Sequence, residues 1–523
     1  MSSFYLKLFF EQIQLIMEEI KEIYLDSKNN IVIGWSGGKD STCVLQLIWN
    51  AVKQIPIEKR HKTIYIISTD TRVENPIVAA WVRQSHDRIK QAAAQQQMPV
   101  EPHLLYPDLK DTFWVNLLGK GYPAPRQKFR WCTERLKIHP ANHFIRDKVR
   151  ENGETILVLG TRKAESAKRA ATMKKHQQGR IRDRLSPNAS LPNSLIYSPI
   201  EDWENNEVWL YLNETENPWG QSNDELFRLY RGATADNECP LVVDTTTPSC
   251  GDSRFGCWVC TLVDKDKSMQ AMIINDQEKT WMEPLLEFRD LLDFRSDSKR
   301  EKERENRDFR RITGHVQLFE RQNREQGGTE ITNIPGPYLK PWREELLRQL
   351  LQAQIKARQN APDHAQDLEL ISAYELSEIR RIWLEEKHEF DDALPRIYQE
   401  VTGETFQDPR PGADHSLLGI DEWELLSEIC GDDPMQLELL AKLMDTERQY
   451  HLKGNRKGIY EALEKCFNAS SRDKQEALDN AYFKRDFREK AKTGDVEEMR
   501  KLLDKQEETL PTPTWASIKF KTP

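Results

Sequence analysis

Ile31-Val-Ile-Gly-Trp-Ser-Gly-Gly-Lys-Asp-Ser-Thr42 is the stretch on which the reading of this chain turns. Ile31-Val-Ile33 is a short β-branched run of the kind buried in a sheet, and a helical stretch from about Asp40 to Lys53 follows it. Between them Gly34-Trp-Ser-Gly-Gly38 forms a turn. Gly37 and Gly38 allow backbone N–H groups to close round an anion, Lys39 adds a cation, and Ser41 and Thr42 place hydroxyls at a helix start. The seven residues Ser36, Gly37, Gly38, Lys39, Asp40, Ser41 and Thr42 therefore suit a pyrophosphate. A Walker A loop needs a longer glycine spacing and a Ser or Thr directly after the lysine, whereas Asp40 follows Lys39 here.

Working outward, further β signals occur at Thr63–Ile67, Pro102–Tyr106, Thr155–Leu159 and Leu195–Ile200, separated by helical patterns at Ile77–Ala94 and Ala141–Glu151. Such alternation predicts an α/β fold with a doubly wound, mostly parallel sheet. Ligands of such sheets bind at the carboxyl ends of the strands, where Ser36, Asp70 and Thr161 would emerge. Asp70 could hold Mg2+ or a ribose there, or cap a turn. Residues 1–25 carry Leu6, Phe9, Phe10, Ile13, Ile16, Met17, Ile20 and Ile23 at helical spacing, with charge in between, so they read as an amphipathic helix and lack the plan of a signal peptide.

The organisation expected is a helix over 1–25, a nucleotide-binding α/β domain over 26–216, a cysteine-rich segment with charged helices over 217–335, and a helical domain over 336–523. With 523 residues, two or three packed units are expected rather than one. A hydrophobic fraction of 38%, a charged fraction of 31% and 14 tryptophans describe a globular chain with a charged surface. No run is long enough to span a membrane, and a cytoplasmic location is expected. The net charge of -9 supplies no global attraction to nucleic acid, so contact with a polyanion needs a local patch. Lys168, Arg169, Lys174, Lys175, Arg180, Arg182 and Arg184, with only Asp183 against them, form one candidate.

Cys239, Cys250, Cys257 and Cys260 give the spacing C-x10-C-x6-C-x2-C. Four thiols within 22 residues, when the other 501 hold only Cys43, Cys132, Cys430 and Cys466, point to one metal site. Zinc and an iron–sulfur cluster both accept four thiolates, and spacing leaves the two open. Cys132 is flanked by Arg130, Arg135 and Lys137, whose charge is expected to favour the thiolate, which makes it a candidate sulfur carrier. Cys43 reads as core, and Cys430 and Cys466 as structural.

The loop resembles the PP-loop of ATP pyrophosphatases, which cleave ATP to AMP and pyrophosphate. Gly160-Thr-Arg-Lys-Ala-Glu-Ser166 with Arg169, and Ser198-Pro-Ile-Glu-Asp-Trp203 with Glu207-Val-Trp209, are similar to the phosphoadenosine-phosphosulfate reductase branch of that superfamily. The cluster segment Ser249–Thr261 and the long helical extension resemble more narrowly the DndC family, the sulfurtransferases of bacterial DNA phosphorothioation. The resemblance implies ATP and Mg2+ as cofactors, with Gly160, Arg162 and Arg169 completing the nucleotide site and Lys39, Arg162, Asp70 and Cys132 in catalysis. It also implies a [4Fe-4S] cluster on the four late cysteines, DNA as substrate, a cysteine desulfurase as sulfur donor, and the other Dnd phosphorothioation proteins as partners. A sulfonucleotide reductase, a tRNA thiolase and a non-catalytic scaffold are the competing expectations.

Overall fold

The computed structural model describes residues 3–26, 29–127, 129–165, 167, 170–171, 173–174, 184–188, 191–233, 255–294, 296–323, 328–410, 420–431, 433–451, 456–469 and 474–509. These divide into two compact units. The first comprises residues 1–113, 124–293 and 349–372, and the second 114–123, 294–348 and 373–523.

The first unit is built on strands β1 (Asn30–Gly34), β2 (Ile64–Thr69), β3 (Val100–Leu105), β4 (Thr155–Leu159), β5 (Ser186–Pro187) and β6 (Ser194–Tyr197). Their order across the sheet is β3-β2-β1-β4-β6-β5, and every pairing is parallel except that of β5 with β6. The alternation of side chains explains why helices must cover both faces. Ile31, Ile33, Ile64 and Ile66 point into one core and Val32, Tyr65 and Ile67 into another. On the first face lie α1 (Ser3–Asp26), α2 (Lys39–Lys53), α3 (Pro76–Gln95), α5 (Asn205–Glu214) and α6 (Asn223–Gly232). On the second, α4 (His139–Asn152) contributes Ile145, Phe144 and Val149.

Each predicted strand and helix of this sheet is present, shifted by a few residues at its ends. Helix α1 buries Phe9, Ile13, Ile16, Met17 and Ile20, as its periodicity requires, and Phe10 stays exposed. Chain order explains the position of the site. The path β1-α2-β2-α3-β3 winds to one side, β4 then returns to the opposite side of β1, and the reversal opens a crevice beyond the carboxyl ends of β1 and β4.

Past β6 the unit is helical, with α7 (Lys267–Asn275) and α8 (Glu283–Leu291) following the cysteine-rich segment. The second unit is mostly helical too, from Ala373–Arg381 to Val496–Thr509. Within it the Trp383 indole N–H donates to the Leu118 carbonyl at 2.8 Å, tying segment 114–123 to the helices. One expectation fails: the charge-rich stretch from Asp264 to Gln326 reads as helical throughout, yet its last part holds the strand Leu318–Asn323, paired antiparallel with Gly328–Asn333. The density of charged and polar residue types there gives no strand signal in the sequence. Among the described residues no helix is long and apolar enough to cross a membrane.

Candidate functional site

The first five residues after Ile33 form a tight hairpin-like loop held by its own hydroxyls. Ser41 Oγ accepts the Ser36 N–H at 3.2 Å and donates to the Gly38 carbonyl at 3.0 Å. Thr42 Oγ1 accepts the Trp35 indole N–H at 3.1 Å, and Trp35 N–H donates to the Ile67 carbonyl of β2 at 2.9 Å. Gly37 has φ +76°, the left-handed region, and a Cβ there would stand 2.7 Å from Val82 Cγ2. Its carbonyl accepts the Trp81 indole N–H at 3.1 Å. Gly37, Ser41 and Thr42 thus shape the loop from behind, while Ser36, Gly38, Lys39 and Asp40 line the cavity in front of it.

That cavity, about 1100 Å³, lies at the crevice predicted by the strand order. Its apolar wall includes Ile67, Leu104, Ile145, Leu157 and Leu159. Its polar end is organised by Asp40. Lys39 Nζ donates to Asp40 Oδ2 at 3.1 Å, and Arg162 Nε donates to Asp40 Oδ1 at 2.7 Å. Arg162 is only 4% exposed and its Nη1 also donates to the Trp203 carbonyl at 3.2 Å, so the guanidinium is fixed on two sides. One carboxylate therefore holds two cations from two strand ends side by side, which is the arrangement that binds phosphates in a cleft of low dielectric.

Gly160 is the contact that lets β4 reach this loop. A Cβ on it would lie 2.8 Å from the carbonyl carbon and oxygen of Asp40 and 2.9 Å from Ser41 N. Thr161 pairs with Ser198, Oγ to Oγ at 2.9 Å, and is not among the lining residues. Glu165 Oε1 accepts the Arg162 backbone N–H at 2.9 Å. Asp70 lines the cavity, buried, with Oδ1 accepting the Arg72 N–H at 2.8 Å and Oδ2 3.4 Å from Arg83. The first of these bonds supports Arg72 at φ 62°, a strained value for a side-chain-bearing residue. Asp70 is thus a turn cap as well as a cavity carboxylate. Arg169 lies outside the described residues.

The other end of the cavity leads to the cysteines. Residues 73–75 pair with 256–258 through Trp258 N–H to the Val73 carbonyl, 3.0 Å, and Asn75 N–H to the Gly256 carbonyl, 3.3 Å. This brings Cys257 Sγ to 3.4 Å from Thr71 Oγ1 and 3.9 Å from Glu74 Oε1. Lys137 Nζ lies 3.2 Å from Glu74 Oε1, and both residues line the cavity. Burial and then Glu74 push the Cys257 thiol up to about 12, opposed by Lys137. The Lys137 ammonium is held protonated chiefly by Cys257, against the cost of burial, with Glu74 and Cys132 adding to it.

Cys132 belongs to the same neighbourhood, since its thiol interacts electrostatically with Cys260 and Lys137. Sequence reasoning expected the flanking cations to favour its thiolate. Burial outweighs them and raises its pKa, and the hydrogen bond from Thr133 only partly offsets that. Arg135 is engaged elsewhere, 3.5 Å from Asp111.

Cys257 and Cys260 share one turn, closed by Cys260 N–H to the Cys257 carbonyl at 3.0 Å. Arg289, 1% exposed, clasps the chain just beyond it, donating to the carbonyls of Cys260 at 3.1 Å and Asp264 at 3.0 Å, and to that of Val263. A C-x2-C turn is the usual half of a cluster or zinc site, so these donors fit such a group. Cys239 and Cys250 lie outside the described residues, and among the described residues no three His, Cys, Asp or Glu converge to hold a metal ion. Cys43 and Cys430 are buried; Cys466 Sγ is 3.4 Å from Thr446 Oγ1. Of the basic segment, Arg184 is paired with Glu19 at 2.9 Å, and most of the rest lies outside the described residues.

Two residues of the site carried no signal in the sequence. Glu74 follows β2 in a loop without a motif, and Tyr230 of α6 is 191 positions from Lys39, yet its hydroxyl accepts the Lys39 N–H at 3.2 Å.

This strand order and this loop define a nucleotide-site α/β domain of the PP-loop kind. Residues 30–262 match the phosphoadenosine phosphosulfate reductase domain family. Over 211 residues the chain is 26% identical to the uncharacterized protein MJ0066 of Methanocaldococcus jannaschii, covering 40% of this chain and 36% of the relative. The chain thus matches little more than a third of that relative's length. Among solved structures it is similar to FMN adenylyltransferase of Candida glabrata in complex with FMN and the ATP analog AMPCPP. Identity is 14%, coverage 51% of this chain and 74% of that one, and the TM-score 0.26. It is also similar to the U34-tRNA thiolase NcsA of Methanococcus maripaludis with its [4Fe-4S] cluster, at 18% identity, 41% and 71% coverage and a TM-score of 0.25.

Proposed function

We propose that this protein is an ATP pyrophosphatase that activates an oxygen for replacement by sulfur, and that the oxygen belongs to a DNA backbone phosphate, as in the DndC family. The observation that carries the reading is the shared hold of Asp40 on Lys39 and Arg162 beside the loop amides, in a cavity that is also lined by Glu74 and Lys137, with Cys257 Sγ 3.9 Å behind Glu74 Oε1. In this reading ATP lies with its base along the apolar wall and its phosphates on the loop. Asp70 is the cavity carboxylate that would serve Mg2+.

The acceptor oxygen attacks the α-phosphorus and pyrophosphate leaves. Lys39 and Arg162 balance the charge that builds on the leaving oxygens, a contribution that is large in a cleft shielded from water. A sulfur nucleophile then attacks the activated phosphorus, and AMP departs with the former acceptor oxygen. Cys132 is the candidate carrier of that sulfur: a cysteine desulfurase charges it as a persulfide, and once the outer sulfur has bonded to phosphorus, two equivalents of an external thiol reduce the S–S bond, freeing the Cys132 thiol and leaving a disulfide of that reductant. Cys239, Cys250, Cys257 and Cys260 would hold a [4Fe-4S] cluster, which supplies soft sulfur and redox chemistry at the cavity's far end. Assembly with the other Dnd proteins and a cytoplasmic setting belong to the same proposal.

Incubation with ATP, Mg2+ and duplex DNA is expected to release pyrophosphate, and Lys39→Ala to reduce release at least 100-fold. Turnover with tRNA in place of DNA would transfer the reading to a thiolase. Reduction of phosphoadenosine-phosphosulfate without ATP cleavage would overturn it in favour of the reductase chemistry for which the matched family is named.

A further inference from the structure

The geometry points to Tyr230 as a pyrophosphate ligand that extends the reach of the Lys39 backbone amide. This assignment rests on the pyrophosphatase reading and adds a residue outside every motif of the loop.

Lys39 opens α2, and its N–H is one of the first-turn donors that the helix cannot satisfy internally. In this structure that N–H does not face the cavity bare. It donates to Tyr230 Oη at 3.2 Å. Tyr230 is 6% exposed and lines the cavity, and a Cβ on Gly38 would stand 3.1 Å from its hydroxyl oxygen. The hydroxyl therefore sits against the loop at the place where an anion would settle. Its oxygen is occupied as an acceptor, and among the described residues no acceptor takes its proton.

A buried O–H without an acceptor is costly, and here it opens onto a cavity lined by the Lys39 ammonium and the Arg162 guanidinium. The chain Lys39 N–H to Tyr230 Oη–H to phosphate oxygen is the arrangement that satisfies all three groups. Donation by the amide polarises the hydroxyl and makes it a better donor. Burial holds the phenol well above its ordinary pKa, so the proton stays on at any working pH.

The ring is fixed for this task. It stands edge-to-face with Trp209 and Phe255, centroids 5.2 Å and 4.6 Å away, and the Lys39 ammonium lies over it at 5.4 Å. Lys39 is thus gripped at both ends by one aromatic residue, which sets where its charge meets the ligand.

Tyr230→Phe keeps the ring, its neighbours and the cation contact and removes only the O–H. The edge of the phenyl ring still blocks the Lys39 amide from taking the anion directly. Calorimetric titration with inorganic pyrophosphate, with AMP and with ATP is the test. The variant is expected to bind pyrophosphate about 10- to 100-fold more weakly than wild type, with the affinity for AMP unchanged and pyrophosphate release from ATP lowered to match.

Equal or tighter pyrophosphate binding in the variant would overturn the assignment, as would a parallel loss for AMP, which marks a general disturbance of the site. A wild-type protein that binds neither ATP nor pyrophosphate would bring down the pyrophosphatase reading, and the role of Tyr230 with it. Wild-type binding left intact by the substitution removes the role of Tyr230 alone.

Discussion

Gly160→Ala is the substitution whose effect can be worked out most fully from the structure. The added Cβ would meet the Asp40 carbonyl carbon and oxygen at 2.8 Å and Ser41 N at 2.9 Å, against 3.4 Å or more for an ordinary contact. All three are backbone atoms, so no side chain can swing away. The end of β4 and the start of α2 must separate by roughly 0.6 Å, the difference between those distances. Overpacking of this kind costs about 1–3 kcal/mol, a sizeable share of the 5–15 kcal/mol that holds a domain folded.

The same displacement moves Lys39 relative to Arg162, and a shift of that order in positioning groups lowers turnover by up to about 100-fold. Urea denaturation should show a lower midpoint with an unchanged slope, and pyrophosphate release should fall more steeply than stability does. Gly232→Ala is the control, because a Cβ there meets nothing within 4 Å. If Gly160→Ala matches wild type in both midpoint and turnover, the close approach of β4 to the loop is not what builds this site.

Two more outcomes follow from buried groups. His86, against Ser68 at 2.8 Å, is pushed down to about 4 chiefly by burial, with His103 adding to the shift and Asp87 opposing it. Because the unfolded imidazole takes a proton near 6.5, stability is full above that pH and falls by about 3 kcal/mol as pH drops to 4. Denaturation measured across this window should lose that dependence in His86→Gln; parallel curves would refute it. Arg289→Met leaves the carbonyls of Cys260, Val263 and Asp264 without their cation and should destabilise by roughly 3 kcal/mol or more. In a cluster-loaded preparation it should also speed the loss of visible absorbance to a chelator, and unchanged kinetics would separate Arg289 from the cysteine turn.

The sheet was legible because its strands are β-branched runs set between helices of clear period, and because the loop after Ile33 allows few other conformations. Lys39, Asp40 and Arg162 were found for the same reason: they sit at strand ends, where chain order alone brings them together. Tyr230 and Glu74 were not, since a contact across 191 positions leaves no local pattern. Counting the charges beside Cys132 leaves out burial, which here has the larger effect on its thiol. The ribbon's strands, Leu318–Asn323 and Gly328–Asn333, leave little mark in the sequence because polar residue types dominate both.

The turn from Thr133 to Ile138 is π-helical, with one residue more per turn than the helix it leads into. In a regular α-helix, positions 132 and 137 would point about 140° apart; the wider turn brings the Lys137 ammonium within influence of the Cys132 thiol. The partnership between thiol and cation is therefore a matter of phase rather than composition. The extra residue of the wider turn thus keeps Cys132 and Lys137 on one face although five positions separate them.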